Sequence, residues 1–240
     1  MRAAAAALLG LVALAAGCGG SGSDAKLTVF AAASLSEVLP SIDPGATYNL
    51  AGSDELAAQL ESGAEADLYL AASPKYPREL EAKGLVEKLQ TFATNRLVLI
   101  VPKGNPAAVA TVGDLAEPGV KVVVGAEGVP VGDYTRTVLE TLGASDVLAN
   151  VASEEPDVKG VVAKVASAAA DAGFVYATDV APVAGEVEAI ELPAGAQPPI
   201  EYVAAIVSST EHREAAEAFL ASLLGDPGRE ALSTVGFGLP

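Results

Sequence analysis

The sequence predicts an α/β fold in two lobes, with mostly parallel sheets flanked by helices and two crossing strands at a hinge. Beyond residue 25, apolar runs of strand length alternate with segments of helical periodicity, a succession that buries parallel strands on both faces. Two apolar runs, 95–102 and 201–209, lead into Pro- or Ser-marked turns with no immediate helix, which suits passages between two units. Tryptophan is absent and there is a single cysteine, so packed layers rather than disulfides must supply the stability.

Met1 and Arg2 are followed by an apolar run over 3–16 that ends in AAGC. The run is too short and too alanine-rich to span a bilayer and reads as an export signal over 1–17. Cys18 falls at its end, before GGSGSD. The segment resembles a bacterial lipobox, with Ala15 where leucine is more usual, and it predicts a lipidated Cys18 on a flexible tether over 18–24. A diacylated cysteine holds a protein stably at a membrane surface. The alternative is an ordinary cleaved signal and a soluble periplasmic or secreted protein. Either way the mature chain is exported, expected at the outer face of the cytoplasmic membrane if lipidated.

From there LTVFAAA, TYNLAG, ADLYLAA, NRLVLIVP, KVVVGA, AGFVYAT, VEAIELP and YVAAIVSS read as buried strands. Helical patterns lie between them: SLSEVL, SDELAAQLESG, PKYPRELEAKG, DYTRTVLETLG, PDVKGVVAKVASAAADAG and STEHREAAEAFLASLLG. The expected division is an N-terminal lobe over 25–97, completed by 204–240, and a C-terminal lobe over 98–203, with a cleft between them.

Charge excludes one class of partner. The chain has 14 Lys and Arg against 31 Asp and Glu, a net −17 that becomes −18 once Arg2 leaves with the signal. No basic stripe exists to neutralise phosphates, so nucleic acid is not an expected partner. The sole histidine, His212, sits in a charged helical pattern, and Cys18 belongs to the signal junction. A Ser/His/Asp triad, a Cys/His pair and a His/Cys zinc site are therefore excluded. Carboxylate-based hydrolysis stays open because Asp and Glu are plentiful. A ferric-ion receptor would need clustered tyrosines, and the six here are scattered.

Four points mark where apolar runs hand over to helical patterns: Ser34, Ser53, Val131 in VPVGDY and Val158 in EEPDVK. Helix N-termini expose unbonded N–H groups, and their dipoles favour negative charge. In open α/β sheets they gather at the carboxyl ends of strands, where ligands bind. Taken singly, each serine fits a plain N-cap and each Pro/Asp segment an ordinary helix start. Tyr176, at the end of AGFVYAT, fits a core tyrosine as well as a donor to a cleft. Convergence of these points would make a pocket for a small oxyanion.

The order and wording of several segments resemble the periplasmic molybdate-binding proteins of ABC transporters. The matching pieces are VFAAASL, AGSDELAAQLESGAEADLYLAAS, FATNRLVLIVP, VPVGDYTRTVLETLG, EEPDVKGVVAKV, DAGFVYATDV and the terminal GFGLP. The resemblance implies a type II periplasmic binding fold that holds a tetrahedral dianion through Ser34, Ser53, the amides of Val131 and Val158, and the Tyr176 hydroxyl. These groups would touch the oxyanion's oxygens and would not ligate its metal directly. It further implies a monomer without cofactor or catalysis, capturing molybdate and also tungstate for an ABC permease. Sulfate or phosphate is the alternative ligand. The family pattern is departed from in three places: a short segment between Ser34 and Ser53, which implies a clipped first helix and an early second strand, Val131 in place of a frequent alanine, and Asp54 and Glu55 beside Ser53. Those carboxylates must point outward if an anion is to bind, and Lys159 is expected to be solvated rather than a ligand.

Overall fold

Every apolar run expected as a strand takes its place in one of two five-stranded sheets in the computed structural model, which describes residues 26–240. The expected signal, Cys18 and tether lie outside the described residues.

The first sheet has the order β2-β1-β3-β10-β4, from β1 (Thr28–Ala32), β2 (Thr47–Ala51), β3 (Leu68–Ala71), β4 (Val86–Asn95) and β10 (Ile200–Val207). The second has the order β7-β6-β8-β5-β9, from β5 (Leu97–Pro102), β6 (Val122–Gly125), β7 (Val151–Glu155), β8 (Ala172–Tyr176) and β9 (Val187–Glu191). Both sheets are mixed. In each, four strands point one way and one runs against them, β10 in the first and β5 in the second. Each reversed strand is the one that follows a passage between sheets.

The helices cover the sheet faces. α2 (Ser53–Glu61) and α3 (Lys75–Ala82) pack on the first sheet, together with α6 (Arg213–Leu224), against which α7 (Asp226–Thr234) lies. α4 (Pro130–Thr141) and α5 (Val158–Ala166) pack on the second. Strands covered on both faces need apolar residues at consecutive positions. Accordingly β3, β5, β6 and β8 are buried along their whole length.

The passages themselves are short. β4 and β5 are separated by Arg96 alone, and the return from β9 to β10 uses 192–199. Strands β5 and β10 enter different sheets rather than pairing with each other. What ties the passages together is Gln197, whose amide accepts from Leu97 N at 3.0 Å and donates to Leu97 O at 2.8 Å. Asn95 Nδ2 adds a bond of 3.0 Å to Thr178 Oγ1.

Four local features differ from the sequence reading. The helix expected from Ser34 is a single 3-10 turn, Ala33–Leu35, followed by the four-residue α1 (Leu39–Ile42). Pro40 lacks the N–H that a continuous helix would need, which interrupts it there. β4 and β7 were not expected as strands, because both mix charged residues into a half-exposed alternation. The terminal helical pattern, which ends at Gly225, forms α6, and α7 beyond it was not expected; Gly225, in extended conformation, caps the end of α6 and the start of α7. The long pattern after Pro156 is helical only to Ala166, where Ser167 and the positive φ of Ala168 end it.

Candidate functional site

The carboxyl ends of β1, β2 and β3 face those of β6, β7 and β8, and a small cavity lies between them. Its wall includes Ser34 and Ser53 from the first lobe and Val131, Val158 and Tyr176 from the second. All five residues expected at the site therefore share one cavity, and all are buried. The remaining wall is alanine, glycine, Val129, Pro130 and Asp157. No lysine or arginine lines it.

The cavity leaves about 20 Å³ for the centre of a water-sized guest. A free volume of that order suits a guest the size of one small oxyanion and leaves no room for a sugar or peptide while the lobes stand as they do here.

Each hydroxyl stands where it can donate into the cavity. Ser53 begins α2, and its Oγ accepts the N–H of Ala72 at 3.1 Å. That bond fixes the oxygen and leaves the O–H to donate elsewhere. Tyr69 holds the same residue from behind by donating to Ser53 O at 2.6 Å. Ser34 Oγ lies 2.8 Å from the Tyr202 hydroxyl. When Tyr202 donates, Ser34 keeps its own proton for the cavity. Tyr202 is buried among Phe92, Tyr176 and Phe237, with ring centroids 6.1, 5.8 and 5.2 Å away. The Tyr176 hydroxyl is fully buried with no partner among the described residues, a condition that costs free energy unless a ligand relieves it. Burial drives the Tyr176 pKa well above the usual tyrosine value, so the group is a neutral donor.

The amides come from helix starts. Pro130 opens α4 and places Val131 in the first turn, where N–H groups have no acceptor within the helix. This turn sits tightly on the end of β6, because a Cβ on Gly132 would lie 2.2 Å from Ala126 O and 2.3 Å from Gly125 O. In α5, Asp157 is the N-cap and its carboxylate accepts from Gly160 N at 3.0 Å, leaving the Val158 N–H at the first position unused by the cap.

Four acidic residues lie in or near the pocket, and only Asp157 lines it. Asp157 lines the cavity with its Oδ1 engaged by Gly160. Glu55 is exposed, as expected, but Asp54 is not wholly turned outward: its Oδ1 is buried without a partner, and burial raises its pKa. Asp54 does not line the cavity. Asp179, buried just beyond Tyr176, has its pKa pushed up to about 6, chiefly by burial and against the pull of Lys159. Lys159 Nζ stands 3.0 Å from Asp179 Oδ1, so this side chain is paired with a buried carboxylate rather than freely solvated.

The lobes touch across the cleft. A Cβ built on Gly52 would lie only 2.4 Å from Pro156 O, so the residue before Ser53 approaches the backbone before Asp157 too closely for any side chain. Lys159 also comes within 3.8 Å of Glu37 across the opening. Gly52, Tyr69, Tyr202 and Asp179 were not singled out in the sequence, since each acts through a partner 16 or more positions away or in the other lobe.

His212 lies far from the cavity wall. Its Nδ1 is 3.2 Å from Asp67 Oδ1, and Thr210 Oγ1 donates to that same oxygen at 2.5 Å while Thr28 N donates to Oδ2 at 2.7 Å. Here the hydroxyl serves the carboxylate and not the imidazole, so no nucleophile–base pair is formed. Among the described residues no group of three or more His, Cys, Asp or Glu could hold a metal ion, and no helix is long and apolar enough to cross a membrane.

Comparison with known proteins agrees with this geometry. Residues 27–238 match the bacterial extracellular solute-binding protein family. The chain is 36% identical to the molybdate-binding protein ModA of Mycobacterium tuberculosis, covering 90% of this chain and 85% of that one. It is 30% identical to the molybdate-binding protein ModA of Escherichia coli over 89% of each. Among solved structures, the periplasmic molybdate-binding protein of Azotobacter vinelandii superposes with a TM-score of 0.78 at 25% identity, over 90% of this chain and all of that one. The chain thus belongs to the bacterial extracellular solute-binding proteins.

Proposed function

We propose that the chain captures molybdate, and also tungstate, outside the cytoplasmic membrane and delivers it to an ABC permease without chemical change. The observation that carries this reading is the unpartnered, buried hydroxyl of Tyr176 in a cavity sized for one tetrahedral oxyanion, with the hydroxyls of Ser34 and Ser53 and the amides of Val131 and Val158 on the same wall. The names of the relatives support the choice of anion.

Magnitudes allow a neutral pocket in an acidic protein to hold a dianion. A micromolar dissociation constant corresponds to about 8 kcal/mol, and a hydrogen bond to a charged group contributes roughly 1.5–3 kcal/mol. Five such donors reach that figure without a cation. Ligand contacts to both lobes at once stabilise the closed arrangement, which is the form offered to the permease. Lipidation at Cys18 would keep the protein beside that permease, on the tether over 18–24.

Donor-only recognition also selects. Phosphate keeps a proton at neutral pH that needs an acceptor, and unpaired polar groups are what a binding site rejects most strongly. One observation favours a second reading: Asp157 on the wall is a carboxylate able to accept that proton. Titration calorimetry of the purified protein with molybdate, tungstate, sulfate and phosphate decides between them. Tight molybdate and tungstate binding with weak phosphate binding is expected; tight phosphate or sulfate binding with no molybdate signal would overturn the assignment.

A further inference from the structure

Outside the cavity, a ring of four residues joins the lobes at the lip of the cleft. Asp133, in the first turn of α4, accepts the N–H of Gly128 through Oδ1 at 2.8 Å and faces Lys75 Nζ through Oδ2 at 3.5 Å. Lys75 donates to the Tyr76 hydroxyl at 3.3 Å, and Tyr76 donates to Gly128 O at 2.5 Å. The ring therefore closes on itself through a carboxylate, an ammonium, a phenol and the two peptide groups that flank the Gly128 Cα. Lys75 and Tyr76 belong to α3 in the first lobe; Gly128 and Asp133 belong to the second. None of the four lines the cavity.

The location of Gly128 makes the ring more than a surface ion pair. Its φ of +91° turns the chain from β6 into α4, and Val129, Pro130 and Val131 of the cavity wall follow immediately. Both sides of the Gly128 residue are held, its N–H by its own lobe and its carbonyl by the opposite one. An isolated exposed Lys–Asp pair contributes little, whereas a closed ring of donors and acceptors reinforces itself.

We propose that Tyr76 is a positioning residue for ligand retention: with Lys75 it clasps the Gly128–Asp133 turn, holding the Val131 amide on the oxyanion and the cleft closed. The inference rests on the cavity being an oxyanion site. A clasp formed from groups on opposite lobes exists only after closure, so it slows release and leaves encounter untouched. It touches no ligand atom, so it acts equally on every anion that fits.

Tyr76→Phe removes the hydroxyl and keeps the ring that packs beside the first-lobe core and under the Lys75 ammonium. Stopped-flow tyrosine fluorescence, suited to a chain without tryptophan, would give association and dissociation rates for molybdate and for tungstate. Loss of one hydrogen bond predicts release roughly 3- to 10-fold faster, association changed less than about 2-fold, and an unchanged ratio of molybdate to tungstate affinity. Asp133→Asn should show the same pattern, and the double variant should fall short of the product of the two effects. Binding by the wild type with release unaltered in Tyr76→Phe would overturn the clasp alone, as would a loss confined to association or to one anion. A wild type that binds none of the anions would overturn the cavity's assignment and the retaining role together.

Discussion

Replacing Ser34 and Ser53 together by alanine is expected to lower molybdate affinity by two to four orders of magnitude while leaving the fold intact. The estimate follows from removing two hydrogen bonds to a charged ligand, about 1.5–3 kcal/mol each. Both hydroxyls are buried, and each has a defined neighbour that would lose its partner: Tyr202 for Ser34 and the Ala72 N–H for Ser53. Stability should therefore fall as well, on the order of 1–3 kcal/mol per orphaned group. Calorimetric titration beside thermal unfolding separates the two effects. Retained molybdate affinity in the folded double variant would remove these hydroxyls from the site.

Gly52→Ala should weaken binding in a different way, by obstructing closure. The added Cβ meets Pro156 O at 2.4 Å in the closed cleft, while the Gly52 backbone, at φ −60° and ψ 141°, suits alanine without strain. Overpacking of this kind costs about 1–3 kcal/mol, a 5- to 150-fold loss in affinity. Free of ligand, with the lobes apart, only the Asp54 carboxylate, whose Oδ1 lies 2.7 Å from the new Cβ within the same lobe, has to swing aside, and alanine's restriction of the unfolded chain offsets part of that cost. Affinity should then fall far more than ligand-free melting temperature. Equal losses in both, or no loss of affinity, would contradict the cross-lobe origin of the effect.

Much of this architecture is legible in the residues. Eight apolar runs mark strands, and in β3, β5, β6 and β8 they are unbroken because a strand covered on both faces has no polar side to show; β2 and β9, also read as buried, are edge strands left largely half-exposed or exposed. β4 and β7 escape notice for the converse reason: their half-exposed faces carry Glu87, Lys88, Gln90, Ser153 and Glu154 among the apolar positions. Ser34, Ser53, Val131, Val158 and Tyr176, which share one cavity, each sit where an apolar run meets a turn or helix start. What surrounds and orients those groups is silent in the sequence. Tyr202 orients Ser34 across 168 positions, Tyr76 meets Gly128 across 52, and Gly52 matters only for what stands opposite it. The segment after Ser34 shows the limit of pattern reading: its apolar spacing reads as one helix, but Pro40 breaks it into a 3-10 turn and a short α1.

The central claim is that uncharged donors from both lobes meet around one tetrahedral dianion. Anomalous diffraction at the molybdenum edge, from crystals grown with molybdate, tests it most directly. A single strong peak is predicted in the cavity, with oxyanion oxygens at hydrogen-bond distance, about 2.7–3.2 Å, from Ser34 Oγ, Ser53 Oγ, Val131 N, Val158 N and the Tyr176 hydroxyl. A peak held by lysine or arginine side chains, or by one lobe alone, would contradict it.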